Sequence, residues 1–355
     1  MVRAARALAL RTLGVSLCAL AGLATAASAQ LSPEPLAVAR VFAERYPQTA
    51  SVSYIPTLSW SGSLRLAELT GESAWRERAR VGIQTLLEGP APTDGTPYSL
   101  TRLAGYAAAA DLGRIEGDAA AMARARAAAD LVIPVDDSAV VRFATGWTDD
   151  MYMATSLLTR VSGEGVERAR ATVATLLTAY VERLQRPDGL FVHAVGAPHA
   201  WGRGNGFAAL GLSEALMHLP DSPERSRALD AFRRQMQAFV VHQSDDGSWR
   251  QVVDEPTSYR ELSVTSMTVA AMARGVRHGW LDAATFLPVI DRGWRAVLAR
   301  IGDDGSVRDV CTSTGAGPTL AYYLERPSVN GMDDRGGGLV LVAALEMEEL
   351  RRRGR

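Results

Sequence analysis

The chain contains no lysine; all 38 of its basic residues are arginine. That absence excludes Schiff-base catalysis on a lysine, a P-loop lysine and a kinase-type lysine together. Cysteine is nearly missing too, with Cys18 and Cys311 the two copies. A disulfide-built scaffold and a cysteine-rich zinc site are therefore excluded. There is no excess of positive charge. The 38 arginines stand against 39 acids, a net charge of −1, which leaves no basic footprint for nucleic acid. Beyond residue 30, no apolar run approaches the ~18 residues of a membrane span. What is present is 355 residues of ordinary globular composition, 47% hydrophobic, long enough for one large domain or two small ones.

The first residues read as an address. Arg3, Arg6 and Arg11 make a positive start, residues 13–26 are apolar and small, and Ala27-Ser28-Ala29 fits an A-x-A cleavage site before Gln30. The expected organisation is a signal peptide over 1–29 and one mature domain over 30–355. Cleavage removes three arginines and no acid, leaving 35 basic against 39 acidic residues. It also removes Cys18, so Cys311 has no intrachain partner and stability must come from core packing. The expected location is exported, periplasmic or extracellular.

The mature chain reads as helix after helix. Apolar residues recur at helical spacing over about twelve segments: 35–47, 57–70, 73–87, 98–114, 117–133, 148–162, 164–186, 205–218, 222–243, 261–279, 283–301 and 336–353. Breakers such as Glu88-Gly89-Pro90, Arg186-Pro187-Asp188-Gly189 and Leu219-Pro220 stand between them. Asp188-Gly189, Asp246-Gly247 and Asp304-Gly305 each follow a helical segment, and they are spaced 58 residues apart. Stacked hairpins of that length either form an open solenoid or close on themselves. Closure gives an all-α, six-hairpin α/α barrel with its pocket where the inter-hairpin loops gather.

Three stretches interrupt the Ala/Leu/Arg pattern. In Gly146-Trp147-Thr148-Asp149-Asp150-Met151-Tyr152-Met153, Thr148 or Asp149 can cap the next helix. Adjacent helical residues diverge by about 100°, so one acid can serve the fold while the other faces a ligand. A carboxyl pushed into an aromatic-lined hollow is suited to general acid work. The second stretch is His193, then Trp201-Gly202-Arg203-Gly204-Asn205-Gly206-Phe207. Its glycines allow close backbone approach, its aromatic faces suit sugar rings, and Arg203 offers a fork for a carboxylate. Neither a G-x-G-x-x-G nor an HExxH is present, and no metal is expected. In the third stretch, Ser258-Tyr259-Arg260-Glu261, Glu261 is either a helix N-terminal acid favoured by the dipole or a site residue. Cys311 reads as a small buried wall rather than a nucleophile.

Taken together, these stretches resemble the unsaturated rhamnogalacturonyl hydrolases, glycoside hydrolase family 105, from about Tyr54 to Glu348. The Trp147–Met153 and Trp201–Phe207 motifs carry the likeness; Ser258–Met267 and Val310-Cys311-Thr312 support it more weakly. The resemblance implies an α/α barrel that removes a 4,5-unsaturated uronic acid from the non-reducing end of lyase-generated oligosaccharides. It implies Asp149 as the acid and base that hydrates the enol ether. It further implies Tyr54, Arg142, Trp147, His193, Trp201, Arg203, Phe207 and Glu261 around the substrate, with no metal or organic cofactor. The expected partner is the unsaturated oligosaccharide, with no nucleic acid, no membrane after leader cleavage, and a monomer or weak homo-oligomer. The chain departs from the family pattern in three places. Arg142 stands where a His-Lys pair is usual, no acid stands near Thr101-Arg102 where a second pocket Asp is usual, and Phe207 replaces a Trp. The rival readings are another α/α-barrel glycosidase that uses Asp149 and Asp150 as a pair, and a saccharide-binding protein without turnover.

Overall fold

The computed structural model describes residues 34–93, 98–136 and 140–353. The leader read over 1–29 lies outside the described residues. In chain order, the first half carries α1 (Pro35–Arg45), α2 (Tyr54–Thr70), α3 (Ser73–Gly82), α4 (Gln84–Glu88), α5 (Leu100–Leu103), α6 (Ala107–Glu116) and α7 (Ala119–Val132). Next come α8 (Asp149–Leu158), α9 (Val166–Leu184), α10 (Gly202–His218), α11 (Pro223–Val241), α12 (Leu262–Arg277) and α13 (Ala283–Leu298). The chain ends with α14 (Leu320–Leu324) and α15 (Asp334–Arg353). Two short antiparallel hairpins decorate one mouth: β1 (Trp249–Arg250) with β2 (Arg260–Glu261), and β3 (Val307–Cys311) with β4 (Ser328–Gly331). Val310 lies opposite Val329, and a bulge between Val307 and Val310 puts Asp309 at φ 60°.

The helices alternate between two rings. α2, α6, α8, α10, α12 and α15 contact one another in sequence, and α15 returns to α2, so the inner ring is closed. α8 is buried along its whole length, and α10 and α12 along nearly all of theirs. The outer helices bury one face, as their amphipathic pattern requires. α1 packs between α15 and α2, and α3, α7, α9, α11 and α13 each lie against the inner helix beside them. The expected six-hairpin α/α barrel is the observed fold. Local caps set the boundaries: Asp118, Ser222 and Asp282 each accept a backbone N–H of the first turn. Two expected helices differ. Segment 73–87 breaks at Ile83, and segment 98–114 tightens to a 3₁₀ turn over Ala104–Tyr106, where Gly105 O accepts the Thr57 hydroxyl.

The 58-residue repeat is a physical interlock. Gly189, Gly247 and Gly305 have φ of 96°, 88° and 87°. The preceding Asp of each turn accepts the N–H two residues on, from Leu190, Ser248 and Ser306. Gln185 Nε2 ties Gly189 O to Ala231 O of α11, and Gln243 Nε2 ties Gly247 O to Val289 O of α13. At the third turn the next outer helix is α1, and Tyr46 OH donates to Gly305 O at 2.9 Å. A Cβ on Gly247 would stand 2.3 Å from Arg292 O. Gly247→Ala is therefore expected to destabilise the protein by about 2–3 kcal/mol, read as a lower urea midpoint at unchanged m-value.

All inner helices start at the mouth that carries the hairpins and end at the other. The far mouth opens on a cavity of about 870 Å³, lined by ion pairs among Arg65, Arg160, Arg274, Glu214 and Glu346, with Tyr152 at its inner end. No described helix is long and apolar enough to cross a membrane.

Candidate active site

The starts of the inner helices bring the sequence-predicted residues together. Tyr54 opens α2, Asp149 opens α8, Trp201 precedes α10 and Arg203 lies in its first turn. Asp149 is 6% exposed. Its Oδ1 accepts Tyr54 OH at 3.3 Å, and its Oδ2 lies 3.8 Å from His193 Nε2. The first turn of a helix favours an anion there. Burial pushes the Tyr54 phenol up, with Asp149 adding to the shift and Arg203 and Arg335 acting against it. Tyr54 is therefore a neutral phenol that donates to Asp149 Oδ1.

The neighbouring acid has a different task. Asp150 is fully buried and accepts the N–H groups of Thr145 and Gly146, the Thr145 hydroxyl and, at 2.6 Å, Tyr180 OH. Burial raises its pKa while those donors act against the shift. It ties the loop before α8 to α9, so it is committed and does not pair with Asp149 across a substrate. Neither Thr148 nor Asp149 caps α8 through its side chain; both cap readings give way to this arrangement.

An aromatic box surrounds His193. The imidazole is fully buried, with ring centroids of Trp201 at 4.6 Å, Trp147 at 5.3 Å and Tyr323 at 5.8 Å. Trp147 is half-buried and forms part of the rim. Close approach of α10 to α8 needs Gly204, where a Cβ would stand 2.4 Å from Thr148 Oγ1. Four buried polar atoms in this region have no protein partner: Asp149 Oδ2, His193 Nε2, Thr148 Oγ1 and Trp201 Nε1. Unsatisfied buried groups cost about 1–3 kcal/mol each, and a cluster of them at a helix mouth marks a place made for a polar ligand.

Arg203 is 3% exposed, lies over the Trp201 ring and donates from Nη1 to Cys311 O at 2.7 Å. One of its five N–H donors is used in that bond, so the fork is fixed with donors to spare. The family model for glycosyl hydrolase family 88 matches residues 37–351. The chain belongs to glycosyl hydrolase family 88.

Relatives of this family 88 chain include an unsaturated 3S-rhamnoglycuronyl hydrolase of Alteromonas sp., 30% identical over 43% of this chain and 36% of that protein. An unsaturated rhamnogalacturonyl hydrolase of Bacillus subtilis is 25% identical over 43% of this chain and 42% of its own length. The match thus spans less than half of the length of these two relatives. The solved structure of a possible family 105 member from Salmonella enterica superposes with a TM-score of 0.78 at 18% identity, covering 91% of this chain and 95% of that one. That likeness concerns the fold, the same α/α barrel.

Other sequence-predicted residues of this family 88 chain take different places. Phe207 is fully buried, stacks on Tyr152 at 5.5 Å and lies tilted against Tyr54 at 5.3 Å. It is the floor under the site rather than a wall, and Tyr152 below it lines the far cavity. Glu261 is the N-cap of α12. One carboxylate oxygen accepts Val264 N and Ser263 Oγ, and the other accepts Cys311 N. These bonds hold β3 to α12, a structural task for the residue the sequence offered as a substrate contact. The described contacts of Arg142 are its N–H to Val132 O and its guanidinium over the Phe143 ring. Residues 137–139 beside it lie outside the described residues. Arg102, where the family pattern has an acid nearby, lies over Tyr98. One residue outside the sequence motifs joins the site, Tyr323 from α14, while Arg335 at the start of α15 is paired with Asp333 and adds only its charge to the surroundings of Tyr54.

Proposed function

We propose that the protein removes a 4,5-unsaturated uronic acid from the non-reducing end of short oligosaccharides, rhamnogalacturonan- or pectin-derived, by hydrating the enol ether. The observation that carries this reading is Asp149: a buried carboxyl at a helix start, one oxygen held by Tyr54 and the other unpartnered beside His193. A protonated Asp149 gives its proton to C4, and positive charge develops at C5 and the ring oxygen. Water, deprotonated by the same carboxylate, bonds to C5 and returns the proton to Asp149. The hemiketal opens at the ring oxygen, and C1 then releases the next sugar as an alcohol. Arg203 holds the substrate carboxylate, with Trp147 and Trp201 as flat walls. The commitment of Asp150 to the loop argues against an adjacent-carboxylate glycosidase. The leader-like segment over 1–29 supports an exported, periplasmic or extracellular protein.

The test is the loss of enol-ether absorbance on lyase-generated oligosaccharides, with products read by mass. Turnover of the unsaturated fragments and none of their saturated counterparts is expected. Activity on saturated chains, or binding of unsaturated fragments without turnover, overturns the reading.

A further inference from the structure

Tyr323 is fully buried on α14, 130 residues beyond the histidine it meets. Its hydroxyl lies 2.8 Å from His193 Nδ1 and accepts the N–H of Gly317 at 3.2 Å. A phenol has one hydrogen to give. Among the described residues, the acceptor in reach of it is His193 Nδ1. Were Nδ1 itself protonated and donating, the Tyr323 hydrogen would be buried without an acceptor, at a cost of about 1–3 kcal/mol. Tyr323 therefore donates to Nδ1, and the neutral imidazole carries its hydrogen on Nε2.

Nε2 is the nitrogen that faces Asp149 Oδ2 at 3.8 Å, and neither atom has another protein partner. Trp201 and Trp147 fix the ring between them, so the hydrogen on Nε2 has a set direction. We infer that Tyr323 is a positioning residue that locks His193 in the Nε2–H tautomer, so that an N–H rather than a lone pair faces Asp149 and the substrate. This rests on the reading of Asp149 as acid and base. In the opposite tautomer, the Nε2 lone pair would accept the Asp149 proton and compete with C4 for it. In the locked tautomer, the proton is left to the substrate. The N–H then supports the carboxylate formed after the transfer, which is the form that must activate water.

Long-range proton–nitrogen correlation spectra of the ¹⁵N-labelled full chain test this directly, with His193→Gln assigning the signal. The wild type is expected to show His193 as the neutral Nε2–H form. In Tyr323→Phe, a mixture or the Nδ1–H form is expected. On unsaturated oligosaccharides, kcat of Tyr323→Phe is expected to fall by about tenfold to hundredfold, with KM little changed and the pH profile displaced. A wild-type Nδ1–H tautomer overturns the inference without any variant, so a poorly folding Tyr323→Phe does not protect it. An unchanged tautomer and kcat in a folded Tyr323→Phe also overturn it. If no oligosaccharide is turned over, the reaction proposed above fails, while the spectra still decide the tautomer.

Discussion

Asp149→Asn is expected to lower turnover of unsaturated oligosaccharides by about 10⁴-fold, the upper end of what one general acid–base group supplies, because the same carboxyl acts in both proton transfers. The amide cannot give a proton to C4 or take one from water. It can still accept Tyr54 OH, which the carboxylate accepts at 3.3 Å. Loss of the charge at the start of α8 costs about 0.3–1 kcal/mol, so the variant should stay folded and keep binding substrate. Asp150→Asn should behave in the opposite sense. Asp150 holds Thr145, Gly146 and Tyr180 by four hydrogen bonds, so its loss loosens the Trp147 rim and lowers stability. The discriminating measurement pairs the absorbance assay with thermal unfolding for both variants. Catalytic loss in Asp150→Asn together with full activity in Asp149→Asn would reverse the assignment.

Glu346→Gln carries the largest expected effect on stability, about 3–5 kcal/mol. Glu346 is fully buried on α15 and bonds Arg65, Arg274 and Arg277 at 2.6–2.9 Å. Neutralising it leaves three guanidiniums to share two acids, Glu349 for Arg65 and Arg277 and Glu214 for Arg274, at the far mouth. Burial alone would push this carboxyl up, but the three arginines outweigh burial and hold it well below its ordinary value of 4.5. Glu214 is held low in the same way by Arg160 and Arg274 against its burial. A depressed folded pKa stabilises above the unfolded value, and the gain is lost as pH falls toward the folded one. Stability of the wild type should therefore drop steadily below about pH 4.5. In Glu346→Gln that acid slope should be shallower, starting from lower stability at pH 7. Urea unfolding at pH 7, 4 and 3 reads both.

The fold was legible because its signals are local and repeated. Apolar spacing marks both rings of helices, and the Asp-Gly turns mark where each outer helix receives its neighbour. The α3–α4 and α5–α6 breaks were hidden; at the second of them the turn carries a tertiary contact, Thr57 on Gly105 O, that apolar spacing does not signal. Residue chemistry alone left Asp149 as one of two acids; the family resemblance chose it, and the loop that Asp150 binds gives that choice a physical reason. Glu261 carries the sequence pattern of a site acid and also of an N-cap; the Val264 N–H it accepts shows the cap, and the Cys311 N–H adds a tie to β3 that spacing does not reveal. Tyr323 has no signal at all. It sits outside every motif, and ring closure, not spacing, carries it to His193.

That closure constrains the order in which the chain acquires its structure. Tyr46 and Gly305 meet across 259 residues, and α15 completes the inner ring against α2. Local hairpins can form early, since loop closure within each is short. The inner faces of α2 and α12 cannot be covered until residues near Leu345 are available, because α15 is the wall between them. A chain cut short before α15 keeps five helices of the inner ring but presents two apolar flanks in register with each other. Such a fragment has the geometry to insert into a second copy rather than to remain alone.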